Sequence, residues 1–254
     1  MSFMPKNQTT SISHHTNDDI FVREKNLCTE LIGKLSFSQF MYFQIIGRMP
    51  TTAEAGMVDA CLVTLMEHGL TPSALVTRLI YSSATEAMQG AVAAGILGVG
   101  STFVGTMEGC ASMIERVLAS DDQIAEARLI AEEHRAAKLP LAGFGHHLHK
   151  PDDPRSIRLF EVADELGLTG SHIAAIKMLS SAIDEVYGKH ITINATGAIA
   201  ACLGDCGIPQ EIMRGFAIIS RCAGLVGHIH EEQHKPAMRA IWESADQAVA
   251  YKAD

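Results

Sequence analysis

Apolar positions recur every three or four residues along most of the chain, and glycine or proline closes each run, so the pattern predicts a succession of helices. Over 26–47, Leu27, Leu31, Ile32, Leu35, Phe37, Phe40, Met41 and Phe43 suit a short helix, a turn at Gly33 and a second helix, which Met49-Pro50 ends. Thr51 and Glu54 have capping-box spacing, and the apolar face of Val58, Leu62, Val63, Leu65 and Met66 runs on toward Gly69. Thr71-Pro72 opens a helix over 73–81, and Thr85-Glu86 opens another through 97. Helical spacing continues over 107–118, 122–137, 156–166, 172–187, 196–206, 210–224 and 236–251. Strand signal is confined to 190–193, and no internal repeat is present. An almost all-α protein follows.

Composition sharpens this picture. The chain has 254 residues, 47% hydrophobic and 19% charged, enough to build a large core without staples. Its 20 basic and 29 acidic side chains give a net charge of −9, which repels a phosphate backbone and argues against nucleic acid as a partner. The longest apolar stretch, 87–104, is interrupted by Gln89, Ser101 and glycines and falls short of a membrane span, so no membrane partner is expected. The polar start, 1–19, has no apolar signal core and reads as a disordered tail, with no support for export. Six cysteines without a CxxC pair read as free thiols in a reducing cytoplasm, the expected location.

Histidine is the unusual residue. His146, His147 and His149 share one glycine-rich segment, while His228, His230 and His234 share another beside Glu231. The spacing of His230 and His234 would suit a metal on a helix, but neither HExxH nor a cysteine pair accompanies them, so no metal is expected.

Gly143-Phe144-Gly145-His146, followed by Lys150 and then Asp153-Pro154-Arg155, resembles the glycine-flanked histidine loop of the citrate synthase family, which reads GFGHR, then K, then DPR. Three further segments are similar in order: Gly47 to Thr51; His68 with Thr71 and Ser73; and Phe216 to His228, which carries Arg221 and is followed by Glu231. Asn194-Ala195-Thr196-Gly197-Ala198-Ile199 resembles the NVDG-A-I segment of the short members, the citryl-CoA lyases and the C-terminal lyase domain of ATP-citrate lyase. The resemblance implies a helical fold in which a large domain (20–117 with 216–254) and a small domain (118–215) close over a cleft. It also implies a homodimer or higher homo-oligomer, and coenzyme A as a thioester substrate or product.

The activity implied is carbon–carbon cleavage of a citryl-CoA-like 3-hydroxy-3-carboxyacyl-CoA to an acyl-CoA and a 2-oxo acid, or the reverse synthesis. Such chemistry needs a base for a hydroxyl proton, a donor to the developing oxyanion and fixed cations for the carboxylates. By position in the motifs, His68, Arg155 and Arg221 bind the acid, and His146 is catalytic. Gly143, Phe144, Gly145 and Lys150 approach the coenzyme. Arg155 beside Asp152 and Asp153 could equally be a helix-start ion pair, and Lys150 an ordinary exposed lysine.

Three positions depart from the pattern. The family's aspartate base is Thr196, a hydroxyl with no pKa near neutrality; the arginine of GFGHR is His147; and a second family histidine falls near Val104. His147 or Glu231 is the expected replacement for the base. A non-catalytic binder of coenzyme A thioesters or polyacids, and a metal protein using His228, His230 and His234, are the alternatives.

Overall fold

The computed structural model describes residues 8–100, 102 and 105–252. Its eleven α-helices among these residues are α1 (Phe37–Ile46), α2 (Thr52–Met66), α3 (Pro72–Ser83), α4 (Met88–Leu97), α5 (Thr106–Leu118), α6 (Gln123–Ala137), α7 (Pro154–Glu165), α8 (Ser171–Tyr187), α9 (Ala195–Asp205), α10 (Met213–His234) and α11 (Met238–Ala248). The predicted capping box forms: Thr51 Oγ1 accepts from Glu54 N at 3.2 Å, and Glu54 Oε2 accepts from Thr51 N at 2.7 Å.

α9 is the centre of the fold. Nine of its eleven residues are buried, among them Ile199, Cys202 and Leu203, so it is apolar on every side as a central helix must be. α2, α5, α7 and α8 pack around it, α6 covers α8, and α10 lies across α2, α3 and α4. Each fully buried Ile or Leu contributes about 1.5–3 kcal/mol of transfer free energy to this core.

Several boundaries differ from the sequence reading. Part of the stretch expected as a disordered tail is a strand, β1 (Ser13–His15), paired antiparallel with β2 (Ile20–Val22), which pairs with β3 (Lys25–Asn26). Residues 1–7 of that expected tail lie outside the described residues. The strand signal at 190–193 yields only an isolated bridge between Ile193 and Phe144. The first predicted helix is a single π turn, Leu27–Leu31, capped by the Asn26 side chain.

The largest difference is α10, which runs ten residues past its predicted end at 224, through Gly224 and Gly227. By length and mean hydropathy, 1.3, the segment 210–234 would pass as a membrane span. It carries the buried Arg221 and packs against α2, α3 and α4.

Candidate active site

The turn after α2, the loop 143–148, the first turns of α7 and α9 and the middle of α10 converge on an open cleft of about 730 Å³. They bring to its wall His68; His146 and His147; Arg155; Asn194 and Thr196; and Arg221. Among the described residues lining it there is no aspartate or glutamate. Two guanidinium groups on a wall that no carboxylate lines favour an anionic ligand.

His146 is held by its own loop. Nδ1 accepts from Leu148 N at 3.1 Å and His149 N at 3.0 Å, which places the proton of the neutral ring on Nε2. Its ring stacks on His147 and His149, with centroids 4.7 and 4.4 Å away, and meets His68 edge-on at 6.0 Å. Burial first, then the charges of His149 and Arg155, lower the His146 pKa below the ordinary histidine value. Burial, then Arg155, His149 and Arg221, do the same at His68. Both shifts favour the neutral ring.

Arg155 is both of the things its position allowed. It lines the cleft, and its Nε and Nη2 bond the two oxygens of the wholly buried Asp153 at 3.0 and 2.7 Å. Arg221 is different: only 9% exposed, it leaves Nη1 buried without a hydrogen-bond partner. Burial lowers its pKa, and the charge of Glu67 partly offsets this. A buried guanidinium nitrogen with no protein partner, on a cleft wall, is a donor suited to an anionic oxygen.

Residues 10–242 match the family model for the C-terminal domain of citrate synthase. The chain belongs to the citrate synthase family. A solved citryl-CoA lyase from Hydrogenobacter thermophilus is 32% identical, with a TM-score of 0.87 over 97% of this chain and 95% of that one, which places the chain in the citryl-CoA lyase-like branch. An ATP citrate lyase from Methanothrix soehngenii shares the fold at 17% identity, with a TM-score of 0.79 over 99% of this chain and 42% of that one. The citrate synthase of Synechocystis sp. is 26% identical over 83% of this chain and 53% of its own length. The chain thus spans about half the length of the curated relatives it matches.

The family's base position, Thr196, stands on the cleft wall with its hydroxyl already committed. It donates to Asn194 Oδ1 at 2.7 Å and lies 2.9 Å from Thr106 Oγ1, so its single proton is spent within the α9 cap. Glu231, the other expected replacement for the base, stands elsewhere. Its carboxylate is ion-paired to Arg78 and is not part of the cleft wall. On α10 it falls on the side of Arg78, which sequence spacing alone does not reveal.

Lys150 is exposed and also stands off the described cleft wall. Gly143 and Gly145 line the cleft, but the small size of Gly143 serves internal packing: a Cβ there would come within 2.5 Å of Cys110 Sγ and 2.9 Å of Gly197 Cα. Phe144 lines the cleft as well, but at 7% exposed it packs mostly into the core. Gly145 has φ of +77°, and a Cβ there would make only an ordinary 3.8 Å contact with Ile191 Cγ2, so its requirement is the turn. Val104, the position nearest the second family histidine, lies outside the described residues.

The histidines of α10 do not converge. His230 and His234 meet at the exposed end of the helix, with ring centroids 4.6 Å apart, while His228 turns inward to Arg78 and Glu67. The imidazoles that do gather are His68, His146 and His149, each offering a ring nitrogen within 4.8 Å of the others. The sequence grouped His149 with His146 and His147 but not with His68, which lies some eighty positions upstream. The charge of Arg155 acts on both His68 and His146, and that of Arg221 on His68.

Proposed function

We propose that the protein is a coenzyme A thioester carbon–carbon lyase, or synthase in reverse, acting on a citryl-CoA-like 3-hydroxy-3-carboxyacyl-CoA. The observation that carries this reading is the buried, unpartnered Nη1 of Arg221 on a wall shared with His68, His146 and Arg155. Family membership and the likeness to a citryl-CoA lyase support the thioester half of the substrate. In this reading Arg155 and Arg221 take the carboxylates, with His68 between them.

Cleavage moves the hydroxyl proton to a base. The electron pair of the breaking carbon–carbon bond passes to the acyl-CoA fragment as an enolate, the hydroxyl carbon becomes the carbonyl of the 2-oxo acid, and the enolate carbon then takes a proton. With no carboxylate on the described wall, the base is an imidazole. His146 is excluded from that role by its tautomer: its Nε2–H is a donor, suited to the oxygen that becomes the carbonyl. His147, stacked on it, replaces the lost aspartate.

Incubation with citryl-CoA and coupled detection of the oxo acid tests this. Turnover that falls by about a hundredfold or more in His146→Ala is expected. Unchanged turnover in that variant removes the assignment. The second reading, a binder without turnover, draws on the committed hydroxyl of Thr196; it predicts that the wild-type chain binds citrate and coenzyme A and releases no oxo acid.

A further inference from the structure

A chain of contacts unused by the chemistry above runs from the interior to the His68 turn. Arg78 of α3 and Glu232 of α10 are 3% and 4% exposed and joined by a 2.8 Å bond from Nη1 to Oε2. Glu232 Oε1 also accepts from Ala237 N and Met238 N at 2.8 and 2.9 Å, so this carboxylate is fully occupied and its guanidinium partner fixed.

Arg78 then donates from Nε to His228 Nδ1 at 3.0 Å. Arginine can only donate, so His228 must accept at Nδ1, and its neutral ring carries the proton on Nε2. That nitrogen stands 2.9 Å from Glu67 Oε2, in close electrostatic contact but out of line for a hydrogen bond. The other oxygen of Glu67 accepts from His68 N at 2.8 Å and Gly69 N at 2.6 Å. One helical turn before His228, a Cβ at Gly224 would collide with the Met66 carbonyl, so α10 lies in backbone contact with this turn. Arg221, a turn earlier again, feels the charge of the same Glu67.

We infer that His228 and Glu67 are positioning residues that fix the His68 turn, and with it the spacing of His68 and Arg221, by tying it to the buried Arg78–Glu232 pair. Glu67 is the joint: one oxygen faces the relay and the other grips two backbone N–H groups. That the positioned His68 binds a carboxylate rests on the function proposed above; the relay does not.

His228→Leu keeps bulk and removes both polar contacts, whereas His228→Gln can present a carbonyl to Arg78 and an amide N–H to Glu67. Glu67→Gln, at an exposed position, is the companion for a case in which His228→Leu fails to fold. Backbone NMR of the full chain reads the turn, and calorimetry with citrate reads its consequence. The expected result is displaced or broadened His68 and Gly69 amide signals in His228→Leu and Glu67→Gln, with near-wild-type signals in His228→Gln. Citrate binding is expected to weaken about tenfold in the first two and to recover in the third.

Unchanged His68 and Gly69 amides in Glu67→Gln, or a His228→Gln that behaves as His228→Leu does, overturns the relay. Amides that follow the expected pattern in a wild-type chain that binds no citrate uphold the relay and remove the substrate reading instead.

Discussion

Arg155 and Asp153 form a two-point ion pair whose buried carboxylate also accepts from Ala195 N at 3.0 Å, so one aspartate fixes a cleft cation and the first turn of α9 together. Burial alone would raise its pKa, but the Arg155 side chain and the N–H groups of Arg155 and Ala195 outweigh it and the net shift is downward. Replacing Asp153 by alanine strands a guanidinium and should cost about 3–5 kcal/mol. For a chain of this size that is a fall in Tm on the order of 10 °C by calorimetry. Because the native pKa is depressed, the stabilisation is complete above the ordinary aspartate pKa and is lost as pH falls through the lower native value. The melting curves of wild type and Asp153→Asn should therefore converge in acid; a gap that widens there would contradict the assignment.

Arg221→Met should separate binding from stability. Removing a buried cation with an unpartnered nitrogen relieves its desolvation, so Tm should hold or rise. Citrate affinity should fall by about a hundredfold, equivalent to a lost charge-assisted contact of roughly 3 kcal/mol. Calorimetric titration beside a thermal melt checks both halves, and a large loss of Tm with affinity intact would make Arg221 a structural residue.

Acid should protonate His68 and His146 later than an ordinary histidine. Burial and neighbouring cations hold the pKa of His68 and of His146 below the usual value near 6.5, so the neutral rings persist until pH falls past the lowered values. Arg155 is one of the charges that lower both, so Arg155→Met should move the titration of both rings, followed by NMR, toward higher pH. A titration that stays put, or moves lower, would show that another group sets it.

Thr196→Asp should return a carboxylate to the cleft wall. It puts two acceptors, its own oxygen and Asn194 Oδ1, where a 2.7 Å bond now stands, at a stability cost of about 1–3 kcal/mol. Cleavage of citryl-CoA should nevertheless rise by about tenfold or more, the general-base contribution an aspartate supplies. A variant that stays folded and cleaves no faster would show that a carboxylate at this position does not reach the hydroxyl proton.

What the sequence disclosed was local. Thr51 and Glu54 announce their helix because both halves of the cap lie within one turn. Asn194, His146, Arg155 and Arg221 could be placed by motif, since each sits at a fixed distance from a glycine or proline. The extension of α10 was hidden because Gly224 reads as a stop, whereas its missing Cβ lets the helix lie against the carbonyl of Met66, far upstream. Arg78 within the apolar run of α3 was the available signal for the Glu231 pair, and buried arginine always asks for a partner.

The back-to-back approach of Gly143 and Gly197 limits how the cleft can move. Gly143 O accepts from Asn194 N at 3.0 Å, Gly145 O accepts from Asn194 Nδ2 at 3.0 Å, and Gly145 N donates to Thr192 O at 2.7 Å. The histidine loop, the start of α7 and the start of α9 are thereby one stiff jaw carrying His146, Arg155 and Thr196. His68 and Arg221 face them from the turn after α2 and from α10. While those backbone bonds hold, the spacing of His146, Arg155 and Thr196 is fixed, and the 6.0 Å between the His146 and His68 rings is a distance that other elements set.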